Sequence, residues 1–284
     1  MSSTPSPEQV YTRPGAEPFF MPGGSVGVLL LHGYFGSPGE LHGMGEALNV
    51  AGYSVHAPML AGHGGLPAAM AEVRWQHWVA TAEAGLRRLR EQCDAVFVAG
   101  ISMGALLALH LAANTEVAGV IAMAPALRLR GERQMALTGM LKYVMPWFYP
   151  FKKANFNDPQ VVQGIRQWLP DADLNDPKTV ADIRREARIP VASIYELVKL
   201  QRRVQRELPR VCVPVLLMQG RRDEVVDTRW VEEWKPKIGA ADVELRWFER
   251  SGHVLPNDSE REAVWAAAVA WLGAHADQRP SQKD

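Results

Sequence analysis

Ser102 stands in Gly100-Ile101-Ser102-Met103-Gly104, directly after the apolar run Ala95–Ala99 and before the helix-forming stretch Ala105–Ala113. Strand, sharp turn and helix in that order project a serine oxygen from the carboxyl end of a sheet, where it can act as a nucleophile. The turn is crowded, so its flanking residues must be small, and Gly100 and Gly104 meet that need. A serine hydroxyl also needs a base. Of the eight histidines, His253 in Ser251-Gly252-His253 follows the run Val243–Phe248. That places it in a loop at a strand's carboxyl end, the face on which open α/β sheets bind ligands. His77 and His110 fall on helical stretches, His56 alternates within a strand, His42 opens a helix, and His275 falls in the polar tail. The base in turn needs an acid to fix its tautomer and stabilise the imidazolium. Asp223 lies just past the run Val213–Met218 and is the first candidate. Asp227, four residues on, reads better as a helix N-cap and stays as the alternative.

A tetrahedral intermediate needs donors for its oxygen. Leu31-His32-Gly33-Tyr34-Phe35-Gly36-Ser37 closes an early strand, and its glycines let the backbone turn and expose amides. The backbone N–H groups of Tyr34 and Met103 are the candidate pair. One such donor is worth roughly 2.7–4 kcal/mol in a measured case. His32 is expected to orient this loop by hydrogen bonding.

These residues require elements that bring them together. Val26–Leu31, Tyr53–Ala57, Ala95–Ala99, Val117–Ala122, Val213–Met218 and Val243–Phe248 are short, nearly continuous apolar runs. Such runs fit strands buried on both faces of a largely parallel sheet. Between them, Trp75, Trp78, Val79, Ala82, Leu86 and Leu89 share one helical face, as do Val264, Trp265, Ala268, Trp271 and Leu272. The alternation predicts a three-layer α/β domain over 9–127 and 208–276. From Arg128 to Arg210 the texture changes: 16 basic and 9 acidic residues stand against 15 and 22 in the remainder. Residues 128–207 are therefore read as a small helical cap inserted into the core, with Asp158-Pro159 starting one helix and Ile194, Leu197, Val198 and Val204 lining another. Residues 1–8 and 277–284 are expected to be flexible.

Composition bounds the function. With 284 residues, 47% hydrophobic and 22% charged, the chain can bury a large core. Lys+Arg and Asp+Glu balance at 31 each, which argues against a nucleic-acid partner. Two cysteines, Cys93 and Cys212, support neither a disulfide framework nor a four-thiolate zinc site and are expected to be buried thiols. No metal or nucleotide motif is present, so no cofactor is indicated. No apolar run of about eighteen residues suggests a membrane span, and Met1–Val10 does not read as a secretory signal. The expected compartment is the cytoplasm.

The order Ser102, Asp223, His253 differs from that of chymotrypsin and of subtilisin, and matches the α/β-hydrolases. The chain resembles the small bacterial carboxylesterases and monoacylglycerol lipases of that superfamily. Leu29–Pro38, Ala51–Gly64, Trp75–Leu89, Gly100–Gly104 and Ser251-Gly252-His253-Val254 carry the resemblance, across nearly all of the core. It implies an α/β-hydrolase fold with helices on both faces of the sheet, and a small cap where the basic segment lies. It also implies a Ser102–Asp223–His253 triad with oxyanion amides at Tyr34 and Met103. Two residues depart from the family's usual pattern: Tyr34 stands where Phe is frequent, and Ala105 where a second Gly is frequent. Neither change removes a backbone donor, though Tyr34 adds a polar edge to the acyl pocket.

The implied activity is cleavage of short- or medium-chain acyl esters or monoacylglycerols through a covalent acyl-enzyme. Thioester, amide or carbon–carbon hydrolysis on the same triad is the first alternative, and a slow-turnover small-molecule binder the second; fold does not separate them. Ser102 excludes the epoxide hydrolase and dehalogenase chemistries, which need a carboxylate at the elbow. The apolar stretch from Met135 to Phe151 is expected to face the Ser102 cleft, with Trp147 and Phe148 lining the acyl site; an interface-seeking lid or a plain structural underside are the other readings. The basic excess allows transient contact with anionic lipid.

Overall fold

A computed structural model describes residues 15–65, 67–158, 161–162, 165 and 172–276. The expected flexible ends, 1–8 and 277–284, lie outside these residues, as does Pro159. In chain order the main elements are β1 (Phe19–Met21), β2 (Val26–Leu31), α1 (His42–Val50), β3 (Ser54–Ala57), α2 (Trp75–Arg90), β4 (Ala95–Ile101), α3 (Met103–Asn114) and β5 (Val120–Met123). Then come α4 (Glu132–Ala136), α5 (Thr138–Leu141), β6 (Trp147–Phe148), α6 (Pro177–Glu186), β7 (Ile189–Pro190) and α7 (Val191–Glu207). The chain closes with β8 (Val215–Gly220), α8 (Trp230–Trp234), β9 (Val243–Phe248) and α9 (Arg261–Ala276).

Seven strands form one sheet in the order β1-β3-β2-β4-β5-β8-β9. Every pairing is parallel except β1 with β3. All six apolar runs predicted as strands contribute to it. Alternation along the strands fills both faces. Leu29, Leu31, Val96, Val98, Val215 and Leu217 pack with α2, α3 and α7. Val28, Leu30, Phe97, Ala99, Leu216 and Met218 pack with α1 and α9. The three-layer α/β-hydrolase architecture expected from the sequence is thus the one observed. β1 was not anticipated. It is only three residues long, and the His56 ring ties it down by its Nδ1 contact, 2.9 Å from the Phe19 carbonyl.

Among the described residues of 128–207 none joins the main sheet; β6 and β7 pair with each other, antiparallel. Within this segment α7 is not set apart from the core. Its Leu197, Leu200 and Val204 belong to the same apolar cluster as α3, because they recur at helical spacing on the face turned to the sheet. The stretch around α5 behaves otherwise. Met140, Tyr143 and Val144 are 77–81% exposed, so they form no buried underside here. Two smaller expectations are also corrected. Cys212 is exposed and Cys93 half-buried, both free. His275 is ordered rather than in a tail: it stacks on Trp271 and its Nε2 lies 2.9 Å from an Asp242 carboxylate oxygen. Among the described residues no helix is long and apolar enough to cross a membrane.

Candidate active site

The topology gathers the predicted residues at one end of the sheet. β2 and β4 are neighbours, with Leu31 opposite Gly100, so the loop after β2 lies beside the turn after β4. Ser102 occupies that turn with φ +54°, a backbone conformation that L side chains seldom adopt. Strain of this kind costs on the order of 1–3 kcal/mol and persists only where the surroundings enforce it. Here the enforcement is visible. A Cβ on Gly100 would lie 2.2 Å from the Gly104 carbonyl oxygen, and one on Gly104 would lie 2.0 Å from that of Leu31. The turn closes tightly onto both strands only because neither residue has a side chain. Phe35, in the loop after β2, is also at positive φ, +65°.

That loop is held from several sides. The His32 ring is fully buried; its Nε2 accepts the Leu60 N–H at 3.1 Å and its Nδ1 lies 2.9 Å from the Gly33 carbonyl. Those partners require the neutral tautomer with the proton on Nδ1. Burial, and after it the neighbouring His63, hold the His32 pKa well below its ordinary value, which agrees. The Gly33 carbonyl also accepts the Gly36 N–H at 3.0 Å. A trans peptide points its N–H opposite its carbonyl, so fixing the Gly33 carbonyl fixes the direction of the Tyr34 N–H. Among the described residues neither the Tyr34 nor the Met103 N–H is spent on another protein group. A Cβ on Gly33 would lie 3.6 Å from the Ser102 Cβ, which measures how close loop and elbow stand. The expected orienting role of His32 is therefore what its hydrogen bonds describe.

Asp223 follows β8 and His253 follows β9, its neighbour in the sheet. His253 Nδ1 lies 2.9 Å from Asp223 Oδ2. The Asp223 carboxylate is buried and also accepts the Val225 and Val226 N–H groups, each at 2.8 Å on Oδ1, and the Gln219 amide at 2.9 Å on Oδ2. Burial alone would push its pKa up; the His253 contact and the other hydrogen bonds outweigh it and hold the group below the usual carboxylate value. An ionised carboxylate only accepts, so Nδ1 of His253 carries the proton and Nε2 is left as the basic nitrogen. Asp227 is committed elsewhere. Its carboxylate engages the Arg229 side chain and backbone N–H and Arg128 Nε, and the Arg229 guanidinium holds its pKa far below the usual range. The helix N-cap expected at Asp227 is Arg229 instead; Asp227 lies two residues upstream, where its Oδ1 accepts the Arg229 N–H at 3.1 Å and its carbonyl the Trp230 N–H at 3.1 Å. Among the described residues no hydrogen bond joins the Ser102 hydroxyl to His253; catalytic hydrogen bonds often tighten only when substrate is bound.

Three residues of this site were not singled out from the sequence. Gln219 is fully buried at the end of β8. The Trp230 indole N–H donates to its Oε1 at 2.9 Å, and since indole is only a donor, the amide must turn its NH2 to Asp223. A glutamine within an apolar strand was the available signal. Arg130 donates to the Asp223 carbonyl at 3.1 Å. Glu40 accepts the Gly33 N–H at 2.7 Å. Of the two proposed acyl-site residues, Trp147 is half-buried under the Arg188 guanidinium and Phe148 is 48% exposed.

The profile of the family described as "Serine aminopeptidase, S33" matches residues 24–260. The chain belongs to this family. It is similar to the thermostable monoacylglycerol lipase of Bacillus sp. (strain H-257), 28% identical over 270 residues, 95% of this chain and 99% of that one. The carboxylesterase of Bacillus subtilis (strain 168) is 26% identical over 249 residues, 87% of this chain and 92% of that one. Among solved structures, one from a study of the metagenome-derived lipolytic enzymes LipS and LipT superposes with a TM-score of 0.72 at 30% identity, covering 94% of this chain and all of that one.

Proposed function

We propose that this protein is a serine hydrolase that cleaves carboxylic esters, with short- and medium-chain acyl esters and monoacylglycerols as its substrate class. The observation that carries the reading is the Asp223–His253 pair, which leaves Nε2 as the basic nitrogen at the same carboxyl end of the parallel sheet where Ser102 stands on its strained turn. Relatives named for carboxylesterase and monoacylglycerol lipase activity, matched over most of their length, support the bond type. His253 Nε2 takes the proton of Ser102, whose oxygen attacks the ester carbonyl. The Tyr34 and Met103 N–H groups hold the resulting oxyanion. The alcohol departs with the proton from His253, and water repeats both steps on the acyl-enzyme to release the acid.

The family's description names a peptidase, so amide hydrolysis is the competing reading, and an ester and an amide of the same acyl group separate the two. The proposal places the exposed apolar side chains of Leu137, Met140, Tyr143 and Val144, with Lys142 among them, as the part of a 128–207 cap that meets a lipid surface. Cytoplasmic residence belongs to the same reading. Ser102→Ala is the test of the nucleophile: turnover of a soluble p-nitrophenyl ester should vanish with the circular dichroism spectrum unchanged. Retention of more than a few per cent of kcat rules out Ser102.

A further inference from the structure

One carboxylate at this site has no part in the chemistry above. Glu40 lies in the short turn Pro38–Leu41, after the loop that carries the Tyr34 N–H. Its Oε1 accepts the Gly33 N–H at 2.7 Å. The carboxylate is seated so tightly in the loop that a Cβ on Gly36 would lie 2.3 Å from Oε1 and 2.6 Å from Oε2. A Cβ on Gly33 would touch Glu40 Oε1 and the Ser102 Cβ alike, each at 3.6 Å, so one residue separates this carboxylate from the nucleophile. Its charge also interacts favourably with His253. An acidic group half-buried in a turn costs stability unless it is paired. Here its hydrogen-bond partner is the backbone of the oxyanion loop, and its charge partner the base.

We propose that Glu40 is a positioning residue of this active site: its ionised carboxylate clamps the Gly33 N–H, holding the Tyr34 N–H beside Ser102, and favours the imidazolium that forms on His253. The inference rests on the serine-hydrolase reading and extends it to a third carboxylate. Two consequences follow from the geometry. A carboxylate accepts a hydrogen bond about twice as strongly as a neutral group, so protonating Glu40 loosens the clamp. A negative charge near His253 also lowers the cost of the charge that develops there in the transition state. Both effects act on kcat more than on KM, since neither touches the bound ester.

The elements packed against Glu40 carry few competing charges. His32 at the end of β2 is held neutral, and His42 on α1 is exposed and paired with Glu46. Beyond the turn Leu255–Asn257, the Asp258 carboxylate is engaged by the Gly252 N–H. His253 is the group that answers it. Burial pushes the Glu40 carboxyl up to about 7, against the Gly33 hydrogen bond and the His253 charge, so its ionisation changes within the working pH range.

Glu40→Gln tests this, because the amide keeps an oxygen for the Gly33 N–H and removes the charge. Steady-state kinetics of wild type and variant on a soluble p-nitrophenyl ester, from about pH 5.5 to 8.5, are compared as a ratio of kcat values. The ratio should be near 1 at the acid end, where wild-type Glu40 is itself neutral. It should rise to about tenfold at the alkaline end, with a midpoint near 7 and KM within about twofold throughout. A ratio that is constant with pH assigns Glu40 a merely structural role and overturns the proposal, as does a variant equal to wild type. If Glu40→Gln does not fold, wild type alone decides: its rate of inactivation by a fluorophosphonate must show a step near pH 7 beyond the single ionisation of the base. A profile with one ionisation only overturns the proposal. Ser102→Ala run alongside separates the two readings, since an active Ser102→Ala defeats the serine mechanism whatever Glu40 does.

Discussion

Replacing Asp223 with Asn should nearly abolish turnover, and the hydrogen bonds around it say how. Oδ1 is pinned by the Val225 and Val226 N–H groups at 2.8 Å, so the asparagine oxygen must stay there. The new NH2 then occupies the place of Oδ2, facing His253 Nδ1 and the Gln219 NH2. Toward His253 it can only donate, which forces the ring proton onto Nε2 and removes the lone pair that should accept the serine proton. The expected loss in kcat is roughly 10⁴. Toward Gln219 it sets donor against donor. Gln219 cannot simply flip, because the Trp230 indole N–H needs its oxygen. One buried donor is left unpaired at a cost of about 1–3 kcal/mol, which urea unfolding will read as a lower midpoint with an unchanged slope. Asp227→Asn is the control. Its contacts are with Arg128 and Arg229, the latter largely exposed, so kcat should stay within about twofold and stability within about 1 kcal/mol. A variant Asp223→Asn with a tenth or more of wild-type kcat, or an inactive Asp227→Asn, refutes the assignment.

Gly104→Ala should lose about 3 kcal/mol or more, since its Cβ would meet the Leu31 carbonyl oxygen at 2.0 Å and that of His32 at 2.7 Å; near-normal thermal unfolding would contradict this account of the turn. The Glu40 carboxyl, raised from 4.5 to about 7 by burial, favours folding while protonated. Its stabilisation is complete below pH 4.5 and is lost as pH rises through 7. Wild type should therefore lose about 2 kcal/mol relative to Glu40→Gln between those limits, after allowing for partial exposure of the residue, and denaturant unfolding at both ends of the range measures it. Across an acyl-ester series, kcat/KM should climb by up to about fourfold per CH2, from about 0.8 kcal/mol of burial each, until the site is full. Trp147→Ala and Phe148→Ala should flatten that climb; lost stability with the climb intact would make the two rings structural.

Much of this site is a matter of local chain chemistry, and that part was legible. Gly100, Ser102 and Gly104 follow an apolar strand and precede a helix former, and the crowding at Gly100 comes from Gly104 in the same turn, whereas that at Gly104 comes from Leu31 and His32 at the end of β2. Near-continuous apolar runs mark the buried strands β2, β4, β5 and β8, because burial on both faces leaves a continuous apolar signature, while the half-buried edge strand β9 alternates Glu244 and Arg246 with its apolar residues. The order of Ser102, Asp223 and His253 placed each at a strand end without knowledge of which strands are neighbours. The stretch near α5 could not be placed along the chain for the converse reason: Met140, Tyr143 and Val144 suit a cleft lining, an interface-seeking lid or a buried underside alike, and composition does not say whether anything covers them.

What only the tertiary structure decided was which polar groups meet. Asp223 rather than Asp227 serves His253 because β8 and β9 are adjacent and Arg128, 99 residues before Asp227, occupies the other carboxylate. Gln219 counts because Trp230 holds one end of its amide and Asp223 the other. Glu40 counts because the loop folds its carboxylate against Gly33, with His253 arriving from more than 200 residues away in the chain. Hydrogen bonds are short and directional, so such partnerships depend on the packed positions of distant segments. Apolar burial is neither short-ranged in its tolerance nor directional, so the fold it drives could be read along the chain.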